Sequence, residues 1–303
     1  MSEFAAAEAV FGSASRGDND ALSDRDILIV DTDTNLLARR QAALETSGWS
    51  VASYTFSKLN ALARKGTLFL QHLKVESKIL RDVDGRLRST LDAFQPKASY
   101  HDDLMENARL ASLISIRPNS RAGALWAADV LYVATRNFGI LHLAQKGRYL
   151  FSYSQILEAL AEDGIISENA LPDLLKLRLA KSLYRSGERI RVKTVASMVQ
   201  RAIAALPEPS FPKQSIAASS DDILSRTVAL SYGSSAYHRL RSLERAYLSL
   251  LVLHPKRVAP KEFAALVRWI KNPRAYASFA ATLEQDLIAQ MQDTAGANHL
   301  TAA

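Results

Sequence analysis

Two aspartates separated by one residue, Asp24 and Asp26, come at the start of a continuous apolar run that is typical of a buried strand. Side chains two positions apart on a strand point to the same face, so we expect the two carboxylates to converge on one site. Magnesium binds a few carboxylate oxygens, retains several waters and bridges the phosphates of a nucleoside triphosphate. The pair therefore predicts a site for Mg²⁺, or for Mn²⁺ in its place.

The residues just upstream have the chemistry of a phosphate site. Gly12 allows the backbone to approach a phosphate group closely, and the hydroxyl of Ser13 can donate a hydrogen bond to it. Arg16 can neutralise phosphate charge, because a guanidinium group suits two-point contact with phosphate oxygens. Together with the carboxylates, these residues predict that the chain binds ATP or another NTP.

The segment resembles the nucleotidyltransferase superfamily related to DNA polymerase β, whose signature is Gly-Ser, a loop, and Asp-x-Asp in a hydrophobic strand. Within that superfamily it is similar to the minimal bacterial nucleotidyltransferases and to the kanamycin- and streptomycin-type adenylyltransferases. The matched residues are Gly12, Ser13, Arg16, Gly17, Ser23, Asp24 and Asp26.

The resemblance implies a Mg²⁺-dependent enzyme that moves an NMP from an NTP to an acceptor hydroxyl. It makes Asp24 and Asp26 the catalytic, metal-binding residues. The nucleotide-binding residues that it implies are Gly12, Ser13, Arg16 and Ser23. The acceptor stays open between a protein, an RNA and a small molecule.

Members of this family usually carry a third carboxylate on a later strand, but the expected strand over residues 50–56 contains no acid. Glu76 is a candidate substitute and the third candidate catalytic residue, although a solvated helix residue is an equal alternative. His72 could act as a base near neutral pH. Asp31 and Asp33 fit turn formation better. A regulatory protein that binds nucleotide without turnover is therefore an alternative function.

A weaker resemblance covers the segment from Arg136 to Ser152, which is similar to the helical domain of streptomycin-type adenylyltransferases. It implies that Arg136 binds the nucleotide. Arg136 and His142 also have the active-site spacing of HEPN-type ribonucleases, as found in toxin–antitoxin or defence systems. Residues six apart on a helix differ by about 600° in angle, so a ribonuclease site requires a break, which Gly139 only partly allows.

The elements that position these residues follow from periodicity. We expect strands ending at Phe11, over Asp26–Val30 and over Trp49–Phe56, with a helix over Asn35–Thr46. From Lys58 onward the pattern is helical, with no later strand. The fold class predicted is α+β, with a small mixed-sheet nucleotidyltransferase head and a large all-helical body.

Three prolines within residues 207–212 indicate a linker. The expected organisation is a nucleotidyltransferase domain over 1–95, a helical domain over 96–206, a C-terminal helical region over 213–292 and a frayed tail over 293–303. The C-terminal helices are expected over 221–230, 237–253, 260–270 and 275–292. The oligomeric state stays open.

The net charge of +7 favours an anionic partner such as a nucleotide or RNA, and the complete absence of cysteine fits a reducing cytoplasm. No apolar run reaches the length of a membrane span, so we expect no membrane partner. The densest basic stretch runs from Lys176 to Lys193 and fits either a solvated helix face or a phosphate contact. Several aromatic residues fit the core better than base stacking, namely Trp126, Tyr132, Tyr149, Tyr153 and Trp269.

Overall fold

The structure is a computed structural model. It describes residues 4–18, 20, 22–186, 195–219, 222–223, 235–253, 281–282, 285–286 and 289 of the 303-residue chain. The chain divides into two compact units: the head unit, residues 1–102 with 139–156, and the helical unit, residues 103–138 with 157–303. Residues 139–156 thus belong to the head unit rather than to the expected helical domain, and the division does not fall at the proline-rich stretch.

A four-stranded mixed sheet forms the centre of the head unit. Its strands are β1 (Ala7–Phe11), β2 (Asp26–Asp31), β3 (Ser50–Thr55) and β4 (Lys78–Asp82), in the order β3-β2-β1-β4. β1 is antiparallel to β2 and β4, and β2 is parallel to β3. The three expected strands are confirmed.

The apolar run of β2 is continuous because both of its faces are covered. Leu28 and Val30 pack into one hydrophobic cluster, whereas Ile27 and Ile29 pack into another. Successive side chains of a strand point to opposite faces, so the alternate residues of one strand serve two cores. This burial holds β2, and with it Asp26 at its first position, in a fixed place.

The expectation that no strand follows residue 58 is wrong. β4 pairs with β1 at the sheet edge, with a register shift between Glu8 and Ala9. The adjacent Ile79 and Leu80 suit a helical pattern as well, and Leu80 is 57% exposed, so alternation of apolar and polar residues gives no signal. The turn residues Asp84 and Gly85, directly after this run, are the one strand signal present.

Short helices surround the sheet in the head unit. They are α1 (Ser13–Arg16), α2 (Thr34–Thr46), α3 (Phe56–Arg64), α4 (Leu68–Glu76) and α5 (Arg86–Asp92). The helix expected over residues 35–46 is confirmed as α2, which Asp33 caps by accepting from the amides of Asn35 and Leu36.

The remaining described elements are mainly helical. The helices are α6 (His101–Ser112), α7 (Arg121–Gln145), α8 (Tyr153–Glu162), α9 (Leu171–Ser186), α10 (Val195–Ala204) and α11 (Ala236–Leu253). Short 3₁₀ turns cover Leu113–Ser115 and Glu168–Ala170. Two short strands, β5 (Ile116–Pro118) and β6 (Ile216–Ala218), pair in parallel within the helical unit. The expectation of an all-helical body is therefore wrong.

The chain beyond the proline-rich stretch is described in part. Phe211 is buried and its ring lies 5.5 Å from that of Phe138, so this stretch packs into the helical unit. The helix expected over residues 237–253 is confirmed as α11. Those expected over 221–230, 260–270 and 275–292, and the tail over 293–303, lie wholly or mostly outside the described residues. No helix in the described part of the chain has the length and apolar character needed to cross a membrane.

Candidate functional site

A tight turn at Gly12 joins β1 to α1. Gly12 has φ 66° and ψ −147°, a conformation that suits glycine and strains residues with a Cβ atom. The amides of Ser15 and Arg16 donate to the carbonyl oxygen of Gly12 at 3.1 and 3.2 Å. The turn delivers Ser13 to the first position of α1.

Asp26 lies directly beside this turn. The strand register places Asp26 opposite Phe11, the residue before Gly12. A Cβ atom added to Gly12 would lie 3.2 Å from Oδ2 of Asp26. A glycine is therefore needed here both for its backbone angles and because the carboxylate occupies the adjacent space.

The prediction that Asp24 lies on the same strand as Asp26 is wrong, because β2 begins at Asp26. β1 ends opposite Asp26 and the chain turns away at Gly12, so Asp24 has no strand residue beside it on that edge. Its side chain is exposed, and its carbonyl oxygen accepts from the hydroxyl of Ser13 at 3.4 Å. Asp24 is thus held near Ser13 by this hydrogen bond from the Ser13 side chain rather than by strand pairing.

Ser23 stabilises the loop that precedes Asp24. Its hydroxyl donates to Oδ1 of Asp20 at 2.9 Å and accepts from the amide of Asp20 at 3.0 Å. These two bonds close a local turn. The structure therefore shows a loop-forming role for Ser23.

Arg16 makes a direct ion pair with Glu76, sixty residues further along the chain. Nη1 of Arg16 donates to Oε2 of Glu76, and Nε donates to Oδ2 of Asp18 at 3.0 Å. Burial lowers the pKa of Arg16, but the two carboxylates more than offset this and raise it overall. Arg16 is therefore held at the turn by acidic partners.

The side chain of Glu76 is only 9% exposed and is ion-paired, so the alternative interpretation of Glu76 as a solvated helix residue is wrong. It ends α4, and Oε2 lies 3.0 Å from Nε2 of His72 as well as against Arg16. Burial alone would raise the pKa of Glu76. Hydrogen bonding and charge from His72 and Arg16 lower the pKa by more than burial raises it. The net pKa is lowered, which keeps Glu76 ionised.

His72 is fixed between two aromatic rings. It stacks on Phe151 with ring centroids 4.2 Å apart and meets Phe11 edge-on at 5.4 Å. Its Cε1 atom lies 3.9 Å from the position that a Cβ atom on Gly12 would take. His72 and Asp26 therefore flank Gly12, and Glu76 orients the imidazole.

The two other acids considered as substitutes form turns, as expected. Asp31 accepts from the amide of Ala6 at 2.7 Å and from those of Thr32 and Asp33, while Asp33 caps α2. Burial raises the pKa of Asp31, but these backbone hydrogen bonds lower it overall. Ala6 precedes β1 at the end opposite Gly12, so neither acid belongs to the site.

The described residues contain no group of three or more His, Cys, Asp or Glu side chains arranged to hold a metal ion. Oδ2 of Asp26 lies beside the Gly12 turn, and Asp24, two residues earlier, has an exposed carboxylate. Magnesium usually takes one or two protein carboxylates and completes its coordination with substrate phosphates and water. The donor set present fits such an ion.

Arg136 and His142 lie on α7, which continues through Gly139 without a break. On a continuous helix they are separated by about 120° around the axis. Arg136 falls in the helical unit and His142 in the head unit. The roles proposed for them in nucleotide binding or RNA cleavage stay predictions.

The helical unit contains a buried ionic cluster that the sequence analysis missed. Asp129 accepts from Arg185 at 3.0 Å and from Arg241 at 2.6 Å, and Glu244 accepts from the Tyr184 hydroxyl at 2.5 Å. The signal available was Asp129, the one acidic residue of α7, which lies in an apolar stretch of that helix. Arg185 thus faces inward, in contrast to the solvated helix face considered for the basic stretch.

Three of the five aromatic residues expected in the core are buried. Trp126, Tyr132 and Tyr153 are each less than 9% exposed, whereas Tyr149 is half-buried and Trp269 lies outside the described residues. Nε1 of Trp126 donates to Glu244 at 3.1 Å.

No protein-family model, no curated protein and no solved structure matches this chain.

Proposed function

We propose that this chain is a Mg²⁺-dependent nucleotidyltransferase that moves an NMP from an NTP, first of all ATP, to an acceptor hydroxyl. The observation that carries the proposal is the convergence of Gly12, Asp26, His72 and Glu76 at one end of the sheet. Carboxylate, imidazole and an open backbone turn are the groups that a metal–triphosphate reaction uses.

The metal, when bound by Asp26 and Asp24, would neutralise phosphate charge and orient the triphosphate. The hydroxyl of Ser13 and the backbone at Gly12 would bind phosphate oxygens. When the nucleotide binds, Arg16 would leave its ion pair with Glu76 and contact the triphosphate instead, because a guanidinium group binds phosphate and carboxylate by the same two-point geometry. These contacts hold the α-phosphorus for in-line attack.

The pair of His72 and Glu76 offers a replacement for the missing third carboxylate. In the tautomer that donates from Nε2 to Glu76, Nδ1 of His72 is the proton acceptor. The acceptor oxygen would then bond to the α-phosphorus, its proton would pass to Nδ1, and the bond to the β-phosphate oxygen would break to release pyrophosphate. His72 would be the catalytic base and Glu76 its positioning residue.

The first experiment measures MgATP binding by isothermal titration calorimetry and pyrophosphate release in the presence of protein, RNA and small-molecule acceptors. Wild type should bind MgATP saturably and release pyrophosphate with one acceptor class. Asp26→Asn should lose both, because it removes a metal ligand without changing side-chain size. Asp84→Asn, an exposed acid in the turn after β4, is the matched control and should behave like wild type.

The outcomes separate the alternatives. Saturable MgATP binding without pyrophosphate release from any acceptor class would favour the regulatory nucleotide-binding protein. Metal-independent RNA cleavage that survives Asp26→Asn would favour the ribonuclease. Absence of MgATP binding to the wild type would overturn the proposal itself.

A further inference from the structure

The helical unit contains a buried arginine that has no acidic partner among the residues that the structure describes. Arg117, in the middle of β5, is 9% exposed. Nη1 of Arg117 makes one long contact of 3.5 Å to the carbonyl oxygen of Pro118, and its buried Nε has no hydrogen-bond partner in the described part of the chain. Buried charges in proteins are normally paired and fully hydrogen-bonded. The guanidinium of Arg117 therefore has N–H groups that are available to donate to a ligand.

The guanidinium lies at the first turn of α7. The carbonyl oxygen of Pro118, which Arg117 contacts, also accepts from the amide of Ser120 at 2.8 Å. The same oxygen would be 2.3 Å from a Cβ atom on Gly123, so Gly123 packs directly on it. Three groups thus meet at one carbonyl, and Arg117 points at the beginning of a 25-residue helix.

The start of α7 is suited to negative charge. Ser120 caps the helix by accepting from the amide of Gly123 at 3.0 Å, and the first turn contains no acidic residue. The first residue of the helix, Arg121, is exposed and adds a further positive charge. The amides of a helix N-terminus and the helix dipole both favour an anion at this position.

The described charges around Arg117 do not compensate for its burial. The chain has no acidic residue between Glu106 and Asp129. Arg245 brings a second guanidinium to the same segment, since its Nη1 donates to the carbonyl oxygens of Leu113 and Ile116 at 2.8 and 3.2 Å. Burial lowers the pKa of Arg117, and no carboxylate among its described neighbours offsets that effect.

We propose that Arg117 and the first turn of α7 form a binding site for a phosphate group, separate from the nucleotide site of the head unit. A phosphate oxygen would accept from the unused guanidinium donors of Arg117, and others would accept from the hydroxyl of Ser120 and the side chain of Arg121. Arginine suits this ligand because its donors match two phosphate oxygens at once. The group would come from inorganic phosphate or from a nucleoside monophosphate.

The test is calorimetric titration of the full chain with inorganic phosphate and, separately, with AMP. Chelator in the buffer removes divalent metal, and an Asp26→Asn background removes the head-unit metal ligand. Saturable binding of either probe is expected, and tighter binding of AMP would identify the nucleotide as the source. Arg117→Met should weaken binding at least about tenfold, because it removes charge-assisted hydrogen bonds while keeping side-chain volume.

Arg64→Met is the matched control, since Arg64 is an exposed arginine on α3 in the head unit. It should bind both probes as the parent does. Absence of binding to the parent, or unchanged binding by Arg117→Met, would overturn the proposal. Binding of a single-stranded RNA without binding of either small probe would also overturn it.

Thermal unfolding provides a second readout that a structural arginine would not satisfy. Without phosphate, Arg117→Met should melt no lower than the parent, because an unpaired buried charge is unfavourable. With phosphate, the parent's melting temperature should rise and that of the variant should not. Unfolding of Arg117→Met in phosphate-free buffer would show that Arg117 serves the fold itself and would overturn the site.

Discussion

Asp129 and Arg241 form an ion pair in which both side chains are fully buried, with 2.6 Å between Oδ2 and Nη1. They are 112 residues apart and join α7 to α11. Arg185 on α9 contacts the same carboxylate, so one acid holds three helices together.

Replacement of Asp129 by asparagine should lower the free energy of unfolding by roughly 3–5 kcal/mol, because it leaves Arg185 without its carboxylate and the fully buried Arg241 with Glu244 alone as its counter-charge. Urea denaturation measures this loss. Asp173→Asn breaks an exposed pair with Arg201, whose side chain is 58% exposed, and should cost no more than about 1 kcal/mol. Equal losses in the two variants would contradict a central role for Asp129.

The carboxylate of Asp129 should make the stability of the fold depend on pH in the acidic range. Burial raises the pKa of Asp129, but the charges of Arg241 and Arg185 more than offset this, so the folded-state pKa is lowered. A lowered pKa contributes stability that is present above the unfolded value of about 3.9 and lost as the pH falls through the folded value. Urea unfolding at a series of acidic pH values should show a smaller loss in Asp129→Asn than in wild type; the loss that remains comes from groups such as Asp31 and Glu76, whose pKa is also lowered.

Glu244, in the same cluster, should have the opposite effect on the pH dependence of stability. Burial raises the pKa of Glu244 more than Arg241 and Tyr184 lower it. Its stabilising contribution is present below the unfolded pKa of about 4.3 and is lost as the pH rises through the folded value. Wild type should therefore lose stability as the pH rises through this range, and Glu244→Gln should lose less. If both variants changed the pH profile in the same direction, the assignment of these two carboxylates would be wrong.

Gly12→Ala should impair MgATP binding far more than Gly17→Ala. Both glycines have positive φ, 66° and 76°, so both substitutions strain the backbone. A Cβ atom at Gly12 would also press on Asp26, whereas one at Gly17 would meet nothing within 4 Å. We expect at least about tenfold weaker binding for Gly12→Ala and less than threefold for Gly17→Ala, measured by calorimetry. Similar effects would separate Gly12 from the site.

Glu76→Gln tests the positioning role proposed for Glu76. It should reduce kcat of NMP transfer by about 10- to 100-fold, because His72 loses its charged partner. Binding of MgATP should be retained, since Arg16 is released from its ion pair. Glu45→Gln, at an exposed acid on α2, is the control. A fall in MgATP affinity with unchanged kcat would assign Glu76 to nucleotide binding instead.

The sequence alone determined the local parts of this protein: the strand ending at Phe11, the glycine turn, the apolar strand from Asp26, and the helix α2. Each depends on periodicity or turn chemistry within a short stretch, and local preference decides such elements. The sequence also predicted that Gly12 and Asp26 belong to one site, and the antiparallel pairing of β1 with β2 brings these two residues together.

Only the tertiary structure decided which distant residues meet. β4 forms because it pairs with β1, about seventy residues earlier, and its exposed edge gives no apolar alternation to read. The contact between Arg16 and Glu76 and the cluster around Asp129 join residues separated by 56 to 112 positions. Such pairs form where packed elements remove charges from water, and that burial is a property of the assembled fold.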